Sequence, residues 1–221
     1  MRVLAIDTSS NVATVAVMED ELLLGEYILN HKKTHSQKIM TMIEQILSEL
    51  ELTVQDIDIF AVAIGPGSFT GLRIGVATVK ALAYNVPYAE HIIVPIMDAR
   101  RDNVFTASYI WDEGFKEIGE PEAISIDECL ESCGEFLDTI FVGDGVKVHR
   151  EYIKEKLGDK AIFPPANALN SRASSVAALA LDKAKRGETQ SYLEMKPYYI
   201  RKSQAERELE ERENKEKGES K

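Results

Sequence analysis

Apolar residues come in three short blocks at the start of the chain, at 3–6, 12–18 and 22–29. They are rich in β-branched side chains and separated by the turn-forming stretches TSSN and EDE. This pattern predicts three consecutive strands. The period then changes. Ile39, Ile43, Ile46, Leu47 and Leu50 recur at helical steps through THSQKIMTMIEQILSEL, and Thr34 and Gln37 stand at capping-box spacing. A helix over 36–50 is expected. IFAVAI, at 59–64, is a continuous apolar run that suits a parallel strand covered on both faces. The N-terminal stretch therefore reads β-β-β-α-β.

The second half repeats the first. NVATVAVMEDE from Asn11 lines up with NVFTASYIWDE from Asn103, and each copy follows an apolar strand closed by an aspartate, Asp7 or Asp98. Further on, IFAVAIGPG has a counterpart in DTIFVGDGV, where Gly143 and Gly145 match Gly65 and Gly67. Correspondences in one order argue for a duplicated unit. The expected organisation is an N-terminal lobe at 1–97, a C-terminal lobe at 98–204 and a charged tail at 205–221. SRASSVAALALDKAKRG reads as a helix stopped by Gly187, and YLEMKPYYIRKSQ as extended around Pro197. The tail carries a single leucine, so it has no face to bury and is expected to be solvated.

Composition narrows the partners. Of 221 residues, 44% are hydrophobic and 29% charged, with a formal net charge of −11. So acidic a chain repels a phosphate backbone. The nearest basic patch, Arg100–Arg101 in DARRDN, is flanked by Asp98 and Asp102. The cysteines, Cys129 and Cys133, are too few for a structural zinc site and read as reduced thiols of a cytoplasmic protein. MRVLAIDTSS is too short and too quickly polar for a signal peptide, and no apolar run approaches the ~20 residues of a membrane span.

The candidate chemistry lies in AVAIGPGSFTGLRIGVA. A phosphate cradle needs small residues that let backbone N–H groups approach oxygens, ahead of a helix N-terminus. Gly65, Gly67, Ser68, Thr70 and Gly71 supply them, but the G-x-G-x-x-x-G spacing is neither a dinucleotide fingerprint nor a Walker loop. A strand-to-helix turn with tightly packing glycines explains the stretch equally well. An aspartate closing the first strand of each half is the layout of the actin, sugar-kinase and heat-shock-chaperone ATPases. Their aspartate turns carry a nearby glycine, whereas Asp7 is followed by Thr8-Ser9-Ser10 and Asp98 by Ala99-Arg100-Arg101. Both cradles read as degraded, so no catalytic residue and no bound cofactor are expected. Asp7 and the glycine loop remain as degenerate nucleotide-type elements. Arg73 could meet a phosphate or a glutamate. Ser68 and Thr70 have no neighbouring base. His31 and His35 sit four apart, yet no metal site is expected there, and His91 and His149 have no histidine nearby.

LAIDTS, HSQ opening a helix, GPGSFTGLRIGVA, DARRDNVFTA, GDG and PYYIRKSQAE together resemble the TsaB (YeaZ) family, through most of the chain to about Glu206. The resemblance implies a duplicated actin-like ATPase (ASKHA, RNase H-like) α/β fold. It implies a non-catalytic subunit in threonylcarbamoylation of tRNA adenosine 37, pairing with the catalytic homologue TsaD and recruiting the ATPase TsaE. The donor is made by a separate enzyme, and tRNA is met only through the complex. An active nucleotide hydrolase or a metallopeptidase-like enzyme of the same fold is the alternative. The catalytic relative's H-x-x-x-H motif follows its glycine loop, whereas His31 and His35 precede the one here. Family members carry a further strand and loop where Lys80 runs directly into Ala81, so a break in the chain is expected between these two residues. Gly71 and Gly75, one helical turn apart, and the Met/Ile face of the 36–50 helix suggest close helix packing against a partner. The expected interface is His35, Ile39, Met42, Ile43, Ile46, Leu72, Gly75, Val76 and Val79, used for TsaD or, in its absence, for a homodimer.

Overall fold

The three N-terminal blocks are strands in the computed structural model, which describes residues 1–10, 12–31, 35–63, 76–86, 91–133 and 138–191. They are β1 (Arg2–Asp7), β2 (Val12–Glu19) and β3 (Leu22–Asn30), followed by α1 (His35–Glu49) and β4 (Ile59–Val62). Thr34 and the Gln37 side chain, the expected capping box, lie outside the described residues. The first sheet has the order β3-β2-β1-β4, with β1 antiparallel to β2 and parallel to β4. Strand β2 is buried along nearly its whole length because helices cover both faces of the sheet. Ala13, Val15 and Val17 pack with Leu4 against Met42, Ile46 and Leu47 of α1. On the other face Ala5 and Ala16 meet Ala173 and Ala177 of α5 (Ala173–Lys185), small residues on both sides that let the helix sit close.

The second sheet is built the same way with one strand more. Its strands are β5 (Ile92–Asp98), β6 (Asn103–Trp111), β7 (Phe115–Ser125), β8 (Thr139–Val142) and β9 (Ala161–Ile162), in the order β7-β6-β5-β8-β9. Again the first strand is antiparallel to its successor, β6, and parallel to β8. One face packs on α2 (Val76–Tyr84) through Leu82 and Ala83, the other on α3 (Ile126–Cys133) and α4 (Gly145–Leu157). Ala81 joins the cluster under α5 while Leu82 joins the second sheet, so α2 and α5 form a shared layer between the sheets.

Three expectations change. The expected break between Lys80 and Ala81 is not there: α2 runs continuously across both residues, and Ala81 is fully buried. IFAVAI is not a covered central strand. β4 is parallel to β1 as expected but forms the sheet edge among the described residues, and its Phe60 is 60% and Val62 38% exposed. In the second sheet β9 lies beside β8, and all four β8 residues are buried. The sheets also divide before Ile92, not after 97, because every partner of β5 belongs to the second sheet.

Candidate functional site

Strand β1 delivers Asp7 to the end of the first sheet, where it is 1% exposed. The turn after it folds back on the carboxylate. Ser9 donates its N–H at 2.8 Å and its hydroxyl at 2.6 Å to Oδ1, while Ser171, from the segment leading into α5, donates its hydroxyl to Oδ2. Burial pushes the Asp7 carboxyl above its ordinary value, against the opposing pull of the Ser171 and Ser9 bonds. Asp7 therefore ties the β1 turn to a residue 164 positions away, and both its oxygens are engaged within the protein. Nearby, Glu26 of β3 accepts from the Ser174 N–H at 3.0 Å and from Arg172 Nε at 3.0 Å, holding the start of α5. A carboxylate there also complements the helix dipole.

The second aspartate turn is closed differently. Asp98 Oδ1 accepts the Arg100 N–H at 2.8 Å, and the Asp98 N–H donates to Asp144 Oδ1 at 3.2 Å. Burial raises the Asp144 carboxyl, with the Asp98 charge adding to the effect. The glycines flanking Asp144 press on the strand itself. A Cβ on Gly143 would lie 2.3 Å from the Ile96 carbonyl oxygen, and one on Gly145 2.9 Å from it. The space that these small residues keep free is filled by β5 backbone, and the anion at the turn is the protein's own Asp144.

Between the two turns lies a cavity of about 140 Å³ lined by Ser10, Val12, Asp98, Asp144, Lys147, Val148 and Asn170. That volume lies below the roughly 300–1,000 Å³ of small-molecule sites. Among the described residues no group of three or more His, Cys, Asp or Glu is placed to hold a metal. His31 is exposed, the His35 side chain lies outside the described residues, and His91 sits 3.9 Å from Asp138. Cys129 and Cys133 are buried free thiols on α3.

Gly65, Gly67, Ser68, Thr70, Gly71, Leu72, Arg73 and Gly75 lie outside the described residues, as do the side chains of Val76 and Val79. Of the expected interface, Met42 and Ile46 are buried against the first sheet, and Ile39 and Ile43 are partly buried on the same cluster. They anchor α1. Among the described side chains of α1 the exposed large apolar one is Met40, and an open groove of about 580 Å³ runs between α1 and the end of β3, lined by Ile28, Leu29, His31, Lys38 and Thr41 among others. Ser171, Asn170 and Glu26 were not singled out from sequence. Ser171 and Glu26 act through partners nearly 150 residues or more away, and nothing local marks them.

The chain is 31% identical over 225 aligned positions to the tRNA threonylcarbamoyladenosine biosynthesis protein TsaB of Bacillus subtilis (strain 168), which covers 93% of this chain and 96% of the relative. The chain belongs to the TsaB family. The protein of that name from Escherichia coli (strain K12) is 28% identical over 231 positions, with 93% and 96% covered. Both alignments are longer than the 221 residues of this chain, so these relatives carry residues with no counterpart here. Residues 23–89 match the family model described as TsaD, tRNA N6-adenosine threonylcarbamoyltransferase. Among solved structures, YeaZ from Pseudomonas aeruginosa superposes with a TM-score of 0.69 at 22% identity, over 90% of this chain and 99% of that one. This likeness agrees with the mixed α/β, two-sheet fold. No helix among the described residues is long and apolar enough to cross a membrane.

Proposed function

We propose that this chain is a non-catalytic subunit in the biosynthesis of threonylcarbamoyladenosine at tRNA position 37. It would pair with a catalytic TsaD homologue and present the pair to the ATPase TsaE, as the family resemblance implies. The observation that carries the non-catalytic reading is that both oxygens of the buried Asp7 carboxylate are taken by protein groups, Ser9 and Ser171. Phosphoryl transfer needs phosphates and Mg²⁺ positioned closely at the aspartate turns, and the cleft between them holds about 140 Å³. The matching strand order and pairing sense of the two sheets support a duplicated, actin-like origin, with one more strand in the second sheet among the described residues.

Exposed Ile28, Leu29 and Met40 around the groove beside α1 support a docking role for that side of the molecule. Apolar surface of this kind is covered by a partner or a second copy in many soluble proteins. The deciding experiment is reconstituted tRNA modification with and without this chain. Modification by the TsaD and TsaE homologues should need it, and the isolated chain should not hydrolyse ATP. Full modification in its absence, or ATP turnover by the chain alone that Asp7→Asn abolishes, would overturn the proposal. Gly75→Leu should weaken both partner pairing and self-pairing, read by sedimentation. Unchanged association of the folded variant would place the interface elsewhere.

A further inference from the structure

The turn between β5 and β6 holds three consecutive non-glycine residues in the left-handed region: Arg100 at φ +64°, Arg101 at +52° and Asp102 at +57°. L-residues reach this region only at a cost, and as single residues far more often than in runs. Hairpin turns that need positive φ are commonly built with glycine or asparagine. A run of three persists when its surroundings over-determine it, and those surroundings are visible. Arg100 N–H donates to Asp98 Oδ1 at 2.8 Å, and Asn103 Nδ2 donates to the Arg101 carbonyl at 2.9 Å. The Ile126 N–H, at the start of α3, donates to the Asp102 carbonyl at 2.8 Å. The turn is thus clamped to β5 on one side and α3 on the other.

This rigid turn displays two arginines between the exposed Asp98 and Asp102. Both arginines are exposed. Among the described residues, Arg2, Arg172 and Arg186 are ion-paired and Arg150 lies over the Phe163 ring. Arg100 and Arg101 alone among the described arginines have neither an ion pair nor a ring contact, in a chain with 37 acidic residues and 26 Lys and Arg. Guanidinium groups carried on a clamped backbone and left without an ion pair suit phosphate oxygens, which take them bidentately.

We propose that the Arg100–Arg101 turn contacts the phosphate backbone of tRNA. This rests on the proposed role in tRNA modification and adds a direct RNA contact to it. Asp102 opposes the contact, and an asparagine there would remove the charge while tolerating the left-handed backbone.

The test is binding of an unmodified tRNA transcript to the complex of this chain with its catalytic partner, across a range of salt. The double variant Arg100→Gln/Arg101→Gln should flatten the log–log salt dependence by about 1.4–1.8, from about 0.7–0.9 per lost phosphate contact. Asp102→Asn should tighten binding at low salt. An unchanged slope in the folded double variant overturns the proposal. So does unchanged RNA binding with weakened binding of the protein partner, which would assign the arginines to a protein carboxylate. Should the double variant not fold, Asp102→Asn decides alone, and no gain in affinity counts against the contact. Modification by the wild-type complex is measured in parallel. Stimulation by the wild type with an unchanged slope removes only the RNA contact, whereas no stimulation removes the role beneath it.

Discussion

Gly143→Ala tests whether the GDG turn exists for packing or for phosphate. Gly143 has φ +103°, and an added Cβ would stand 2.3 Å from the Ile96 carbonyl oxygen and 3.0 Å from its carbon. That carbonyl belongs to β5, inside the second sheet, and cannot swing aside as a side-chain tip could. Gly187, which closes α5 at φ +74° with nothing within 4 Å of an added Cβ, serves as the control. Gly187→Ala measures the left-handed backbone alone, about 1–2 kcal/mol. Gly143→Ala adds overpacking of about 1–3 kcal/mol. Its total is about 2–5 kcal/mol, a fall in Tm of roughly 4–20 °C for a chain of this size. Gly145→Ala, 2.9 Å from the same oxygen and without positive φ, should cost less than Gly143→Ala. Thermal melts without nucleotide, repeated with Mg-ATP, read all three. Equal losses for Gly143→Ala and Gly187→Ala would refute the packing argument. So would a nucleotide-induced rise in Tm that the wild type shows and Gly143→Ala lacks.

Asp7 is raised above its ordinary value of 3.8 by burial, against the pull of the Ser171 and Ser9 bonds. Its contribution is therefore fully present below the unfolded value and lost as pH climbs through the folded one. Asp7→Asn should gain stability on the wild type as pH rises above the ordinary carboxylate range, with little change in partner-dependent activity; parallel pH–stability profiles would contradict this. Glu26→Ala strips the acceptor from the Ser174 N–H and from Arg172, and should cost about 1–3 kcal/mol in urea melts. A loss under about 0.5 kcal/mol would mean that water replaces Glu26 at the start of α5. Phe60→Lys places a charge on the open edge at β4, where such residues discourage strand pairing. It should change stability by less than about 1 kcal/mol and lower self-association at high concentration. Sedimentation identical to wild type would show that the edge takes no part in association.

Most of the secondary structure could be read from the sequence because it rests on local periodicity. The short apolar blocks became β1 to β3, the three-and-four spacing became α1, and Gly187 closes α5 as its position implied. The aspartates at the ends of β1 and β5 and the missing glycines after them were visible for the same reason: each is a matter of neighbours in the chain. What fills those turns was not. Ser171 reaches Asp7 across 164 residues, and Asp144 reaches the Asp98 N–H across 46. IFAVAI has the composition of a covered strand, but whether a strand lies beside it depends on the rest of the sheet, so only the fold exposes Phe60. The helix through Lys80 and Ala81 is likewise decided by packing, since Ala81 and Leu82 are buried between two sheets whose pairing no local pattern announces. Periodicity selects a residue's conformation and its buried side; long-range contacts decide what that side meets. A site made of two turns from opposite halves of the chain belongs to the second kind of information.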